Sequence, residues 1–120
     1  MGRNNIVGAW GESVAAKYLQ KKQYQLVAMN YRSRFGEIDL IVSNKDFLVF
    51  VEVKLRKTVK FASAYEHVDQ QKQQRIRTTA EIFLTEYQTS LQPRFDVIEI
   101  YAPYGVRTLL PKINHMEDAF

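Results

Sequence analysis

Residues Phe35–Arg56 read FGEIDLIVSNKDFLVFVEVKLR, two apolar strand-like runs around a polar turn. Glu37 and Asp39 interrupt the first run, and Glu52 and Lys54 the second. Side chains alternate faces along a strand, so Glu37, Asp39 and Ile41 share one face, and Leu48, Phe50, Glu52 and Lys54 share one on the next. The runs join through Asn44 and Lys45, and a two-residue hairpin turn pairs Ser43 with Asp46. That register sets Asp39 opposite Phe50 and Glu37 opposite Glu52, with all four charges on one face. Asp39 is then a diagonal neighbour of Glu52, about 6 to 8 Å away between Cβ atoms, a separation one divalent cation spans.

A hairpin with one solvated face would carry these charges as surface salt bridges of little worth. Two observations weigh against that. Ile41, Leu48 and Phe50 lie on the charged face, while Ile38, Leu40, Val49, Val51 and Val53 fill the other, so both faces are expected to be covered. Ionised carboxylates withdrawn from water cost several kcal/mol each unless paired or bound to metal, and Lys54 alone does not neutralise three of them. The residues favour a metal-assisted site over a structural charge cluster.

Outward from the hairpin, AWGESVAAKYLQKK has helical spacing at Ala9, Trp10, Val14, Ala15, Tyr18 and Leu19. YQLVAMNYR reads as a short strand before the hairpin. From His67 to Tyr87 the stripe Val68, Ile76, Ala80, Phe83, Leu84 and Tyr87 predicts a second helix, followed by Pro93. RFDVIEIY alternates as a strand, and VRTLLPKINH is a weaker last strand after the turn at Pro103 to Gly105. The expectation is one α/β domain over residues 1–120, a mixed central sheet flanked by helices in the order αβββαββ. The loop from Lys57 to Glu66 is the expected mobile segment.

The chain has 120 residues, 46% hydrophobic and 25% charged, which suits one folded domain and excludes wholesale disorder. Without cysteine there is no disulfide framework, thiolate zinc site or cysteine nucleophile. The first residues lack a signal-peptide core, the myristoylation pattern fails at Ile6, and no apolar run approaches a membrane span, so a cytoplasmic location is expected. His67 and His115 are the two histidines and form no H-E-x-x-H, and neither G-x-S-x-G nor a P-loop or Rossmann glycine pattern occurs, so no nucleotide cofactor is expected.

Seventeen Lys and Arg against thirteen Asp and Glu give a net charge of +4, a bias toward polyanions. The basic residues flank the strand charges: Arg32 and Arg34 before them, then Arg56, Lys57 and Lys60 after. Such a group is either a solvated loop or a phosphate-binding surface. Glu12 either borders the buried face of the first helix or serves the helix dipole near its start. Lys72, in line with Val68 and Ile76, either snorkels outward or points at an anion.

GEIDLI followed by FVEVK resembles the Asp…Glu-x-Lys core of the PD-(D/E)XK nuclease superfamily, in particular the archaeal Holliday-junction resolvases. The closer resemblance is to the bacterial YraN-like family, carried by GAWGESVAAKYL, NYRSRFGEIDLI, FVEVKLR, Lys72 with Arg75, RFDVIEI and the closing EDAF. It implies a restriction-endonuclease-like fold and a metal-dependent DNA endonuclease using Mg2+ or Mn2+. Asp39 and Glu52 would be metal ligands, Lys54 would stand beside the reacting phosphate, and Glu12 would be an outer carboxylate of the metal site. Glu37 matches the G-E-I-D signature without an assigned role. Arg32, Arg34, Arg56, Lys57, Lys60, Lys72 and Arg75 would contact DNA, with branched or flap DNA as the implied substrate and homodimerisation left open. Ile38 stands where the superfamily has Pro, Leu55 where Thr often follows the Lys, and Gln23 where Gly is common. Two rival readings accompany this one: a noncatalytic DNA-binding module on the same fold, and an interaction protein whose charges stabilise its hairpin.

Overall fold

The computed structural model describes residues 3–58 and 68–120. Along them run α1 (Arg3–Lys21), β1 (Gln25–Arg32), β2 (Glu37–Ser43), β3 (Phe47–Arg56), α2 (Gln70–Glu86), β4 (Gln92–Tyr101) and β5 (Lys112–Met116). The strands form one five-stranded sheet in sequence order, antiparallel throughout except for the parallel pair β3–β4. A one-turn 3-10 helix, Gly105–Arg107, stands between β4 and β5, an element absent from the expected order αβββαββ. The last strand also begins later than Val106. Pro111 has no N–H for a ladder, and Leu109 and Leu110 project into solvent ahead of it.

The helices cover opposite faces. Ala15, Ala16 and Leu19 of α1 pack on Leu40, Val42, Val49, Val51, Ile98 and Ile100, while Ile76, Ala80 and Phe83 of α2 pack on Ile41, Leu48, Phe50 and Val97. β3 is therefore buried on both sides, as its near-continuous apolar run predicts. Ile38 joins the α2 side rather than its expected partner Leu40. Strict alternation lapses beside Asp39, and in the neighbouring strand Asn30 takes a left-handed φ of 53°.

The end of α1 has a backbone that suits glycine at position 23. Tyr24 N–H bonds back to Leu19 C=O at 3.0 Å, closing a Schellman turn, and Gln23 occupies its left-handed position at φ 76°. At the other helix, Asp69 is the N-cap of α2 and accepts from Lys72 N at 2.8 Å, so helix two starts after His67, which lies outside the described residues.

Candidate functional site

The hairpin register differs from the expected one by two residues: Ser43 pairs with Leu48, Ile41 with Phe50 and Leu40 with Val51. Asn44 is the cause. Its Oδ1 accepts from Asp46 N at 2.9 Å and Phe47 N at 2.8 Å, and Asn44 N–H bonds Phe47 C=O at 3.0 Å, so the reversal is longer than a two-residue turn. An even shift preserves parity, so Asp39 and Glu52 keep their common face, but it changes which residues stand opposite one another. Asp39 does not stand opposite Phe50, nor Glu37 opposite Glu52; the register continues instead to Asp39 beside Glu52.

The backbone pairing of β2 and β3 stops at Leu40 and Val51. One step further, Asp39 Oδ2 accepts from Val53 N at 2.8 Å, a side chain standing in for a ladder carbonyl. The hairpin therefore splays where its charges lie. Into the fork, from the α2 side, comes Lys72, delivered by the first turn that Asp69 caps. Its Nζ lies 2.5 Å from Glu52 Oε2, and Lys54 Nζ lies 3.8 Å from the same oxygen. Of the two orientations open to Lys72 in the sequence, it takes the one toward an anion, and that anion is Glu52, 5% exposed.

Glu12 approaches from α1, held by Asn30 Nδ2 at 2.7 Å. Asparagine tolerates the left-handed backbone that aims this amide. Gly11 lets the same helical turn close onto β3, since a Cβ there would meet Leu55 Cδ2 at 3.0 Å. Glu12 is half-buried and feels the other carboxylates.

The electrostatics follow from this crowding. Burial, then the charge of Glu52, push the Asp39 carboxyl up to about 8. Burial, with Glu37 and Glu52 behind it, raises Glu12 as well. Lys54 is lowered by burial and by the neighbouring charge of Lys72. Burial pulls Lys72 down too, but its hydrogen bond and charge contact with Glu52 outweigh that and leave it above the ordinary lysine range.

Asp39, Glu52 and Lys72 line a cleft of about 370 Å3 together with Glu37 and Arg75, and Lys54 reaches Glu52 from beside it. It runs into a larger one of about 930 Å3, between the β1–β2 turn and α2, lined by Arg32, Arg34, Arg75 and again Glu37. Arg32 Nε lies 3.6 Å from Glu37 Oε2, so Glu37 partners an arginine at the mouth. The structure thus brings Asp39, Glu52, Lys54, Lys72 and Arg75 together, with Glu12 adjoining and Arg32 and Arg34 at the entrance. Arg56 is turned to Glu99 at 3.3 Å, and Lys57 lines a separate cleft with Tyr101, Arg107 and Lys112. Lys60, and the expected mobile loop from residue 59 onward, lie outside the described residues.

The donor set is of a kind that a divalent cation takes. Asp39 and Glu52 are hard oxygen ligands, and among the described residues no donor reaches the second oxygen of Asp39. Glu52, however, is occupied by Lys72, and among the described residues no three Asp, Glu or His side chains form a ready-made metal cage.

Sequence reading missed a second set of buried charges in β4. Arg94 donates to both oxygens of Asp96 at 2.9 and 2.8 Å, and to Tyr24 Oη at 2.7 Å. His115 Nε2 is 2.7 Å from Asp96 Oδ2, and Asp118 N donates to Oδ1 at 3.0 Å. Glu99, 1% exposed, accepts from Tyr101 and Asn114 besides Arg56. The signal was present in RFDVIEI, where Arg94, Asp96 and Glu99 interrupt a strand just as Asp39 and Glu52 do.

Fold and cleft define the class: an α/β domain that has, among the described residues, two α-helices on opposite faces of a five-stranded mixed sheet, with an acid–lysine cleft where its central hairpin splays. The chain belongs to the uncharacterised protein family UPF0102, whose family model matches residues 11–100, in keeping with the YraN-like resemblance. It is 44% identical over 115 residues to a UPF0102 protein of Caldanaerobacter subterraneus subsp. tengcongensis, covering 95% of this chain and 93% of that one. A UPF0102 protein of Rhodococcus jostii is 42% identical over 121 residues, the whole of both chains. One of Clostridioides difficile is 38% identical over 118 residues, 98% of each. No helix among the described residues is long and apolar enough to cross a membrane.

Proposed function

We propose that the protein is a metal-dependent endonuclease of restriction-endonuclease-like architecture, acting on DNA phosphodiesters at the cleft of Asp39, Glu52 and Lys54. The observation that carries this reading is the juxtaposition of the buried Glu52 carboxylate and the half-buried Asp39 carboxyl, the latter pushed up to about 8 by desolvation and then by the charge of Glu52, with two lysines beside them. Asp39 and Glu52 would hold Mg2+ or Mn2+, with Glu12 outside them. The cation would supply Lewis-acid polarisation of a phosphodiester oxygen.

The chain's own groups do the rest. Lys54, with its proton loosened by burial and by Lys72, donates a hydrogen bond or a proton to an oxygen gaining charge. With a cation held by Glu52, Lys72 would be released from that carboxylate to bind a phosphate. Arg32, Arg34 and Arg75 line the neighbouring cleft and bind the backbone without reading sequence.

The test incubates wild type and Glu52→Gln with labelled duplex, single-stranded, flap and four-way-junction DNA in Mg2+, Mn2+ or EDTA. Metal-dependent cleavage by wild type, lost in the variant, is the expected result; equal cleavage by both removes Glu52 from the chemistry. The noncatalytic DNA-binding reading draws on the close Lys72–Glu52 pair, which neutralises Glu52 without a metal. It predicts salt-sensitive binding with no cleavage under any condition.

A further inference from the structure

The large cleft between the β1–β2 turn and α2 carries an aromatic ring that the proposed chemistry does not use. Phe35, 49% exposed, stands at the tip of the turn among Arg32, Arg34 and Arg75. The turn that carries it is fastened. Ser33 N–H bonds Gly36 C=O at 2.9 Å, Phe35 N–H bonds Ser33 Oγ at 3.0 Å, and Ser33 Oγ meets Thr79 Oγ1 of α2 at 2.9 Å. Gly36 presses on the same helix, where a Cβ would come within 3.2 Å of Arg75 Cβ. The ring is thus held out to solvent on a rigid support.

Its surroundings select the ligand. The Arg34 guanidinium lies over the ring at 5.4 Å, pairing a cation with an aromatic face. Three arginines against the single carboxylate of Glu37 make the cleft cationic, and arginine with an exposed aromatic is the combination that holds phosphates while a base stacks. The cleft opens into the Asp39–Glu52 cleft through Gly36, Glu37, Gln71 and Arg75, which line both. Phe35 is four residues before Asp39, within about 13 Å at strand spacing, a few nucleotide steps along one strand.

We infer that Phe35, flanked by Arg34, is a stacking platform for an unpaired nucleobase close to the site of phosphodiester cleavage, selecting nucleic acid with a single-stranded arm over continuous duplex. Bases stacked within a duplex offer no free face to such a ring, whereas an unpaired arm does. The inference rests on the nucleic-acid reading of the cleft and adds the feature of the substrate that it recognises.

The test measures binding of wild type, Phe35→Ala and Phe35→Trp to a duplex, the same duplex with a flap, and a single strand, in EDTA. 2-Aminopurine in the unpaired arm reports stacking. Phe35→Ala is expected to weaken flap and single-strand binding roughly five- to a hundredfold, to abolish the 2-aminopurine quenching, and to leave duplex binding unchanged. Phe35→Trp should retain both affinity and quenching. Wild-type levels of flap binding and quenching in Phe35→Ala, or an equal loss on duplex, overturn the platform while leaving the nucleic-acid reading intact. No binding of any DNA by wild type overturns that reading, and the platform with it.

Discussion

Lys72 Nζ sits 2.5 Å from Glu52 Oε2, so a helix that begins after the hairpin reaches back to neutralise the most buried carboxylate of the fork. The lysine holds the position a cation would compete for. Lys72→Met should therefore lower stability in EDTA by roughly 1 to 2 kcal/mol, a partly exposed pair being worth less than a fully buried one. Mn2+ should recover more of the melting temperature in this variant than in wild type, because binding to the folded state stabilises it. Differential scanning fluorimetry with and without Mn2+ measures both effects; a deficit that Mn2+ leaves untouched assigns Glu52 to a structural ion pair.

Asp39 also predicts a pH dependence. Its folded value of about 8 lies above the ordinary 3.8, so the folded protein holds this proton more tightly than the unfolded chain. The resulting stabilisation is full below about 4 and fades as pH rises toward 8, by at most about 1.4 kcal/mol per pH unit. Asp39→Asn should flatten this slope, making the variant progressively more stable than wild type between pH 5 and 8 in metal-free buffer. Urea midpoints across that range give the comparison, and parallel curves for the two proteins contradict the assignment.

Asp96 behaves oppositely. Burial raises it, but hydrogen bonds from His115, Arg94 and Asp118 N prevail and leave it below the ordinary carboxylate range. Its stabilisation is present above the unfolded value and lost as pH falls through the lower folded one. Asp96→Ala strands Arg94 in the interior and should cost about 3 to 5 kcal/mol, measured by chemical denaturation at pH 7. Since this network lies on the α1 side of the sheet, DNA binding by the fraction that remains folded should be unaffected.

Gln23 pays the steric penalty of a left-handed residue at the end of α1. Gln23→Gly should stabilise the protein by about 0.5 to 1 kcal/mol, the relief of that strain exceeding the entropy that glycine adds to the unfolded chain. An unchanged or lowered denaturation midpoint argues against a strained turn.

Much of this architecture was legible in residue pattern. The continuous apolar run of β3 required cover on both faces, and the 3.6-residue stripes of Val14 to Leu19 and Ile76 to Phe83 supplied the two helices that provide it. The shared face of Asp39 and Glu52 followed from alternation alone and survived a wrong register, since a shift of two residues preserves parity. The register itself depended on one side chain, Asn44, whose amide bonds compete with the tight turn that the strand ends invited. Ile38 departs from alternation because that rule presumes a regular ladder, and the β2–β3 ladder stops at Leu40. Asp96 and His115 meet across β4 and β5, a contact between distant segments that no local pattern announces.

The central claim is that Asp39 and Glu52 together hold one divalent cation, and calorimetric titration of Mn2+ into metal-free wild type, Asp39→Asn and Glu52→Gln at pH 8 tests it most directly. Saturable binding of a single ion by wild type, lost in both variants while their circular dichroism is unchanged, is the predicted result. Undiminished binding in either variant, or none by wild type, contradicts it.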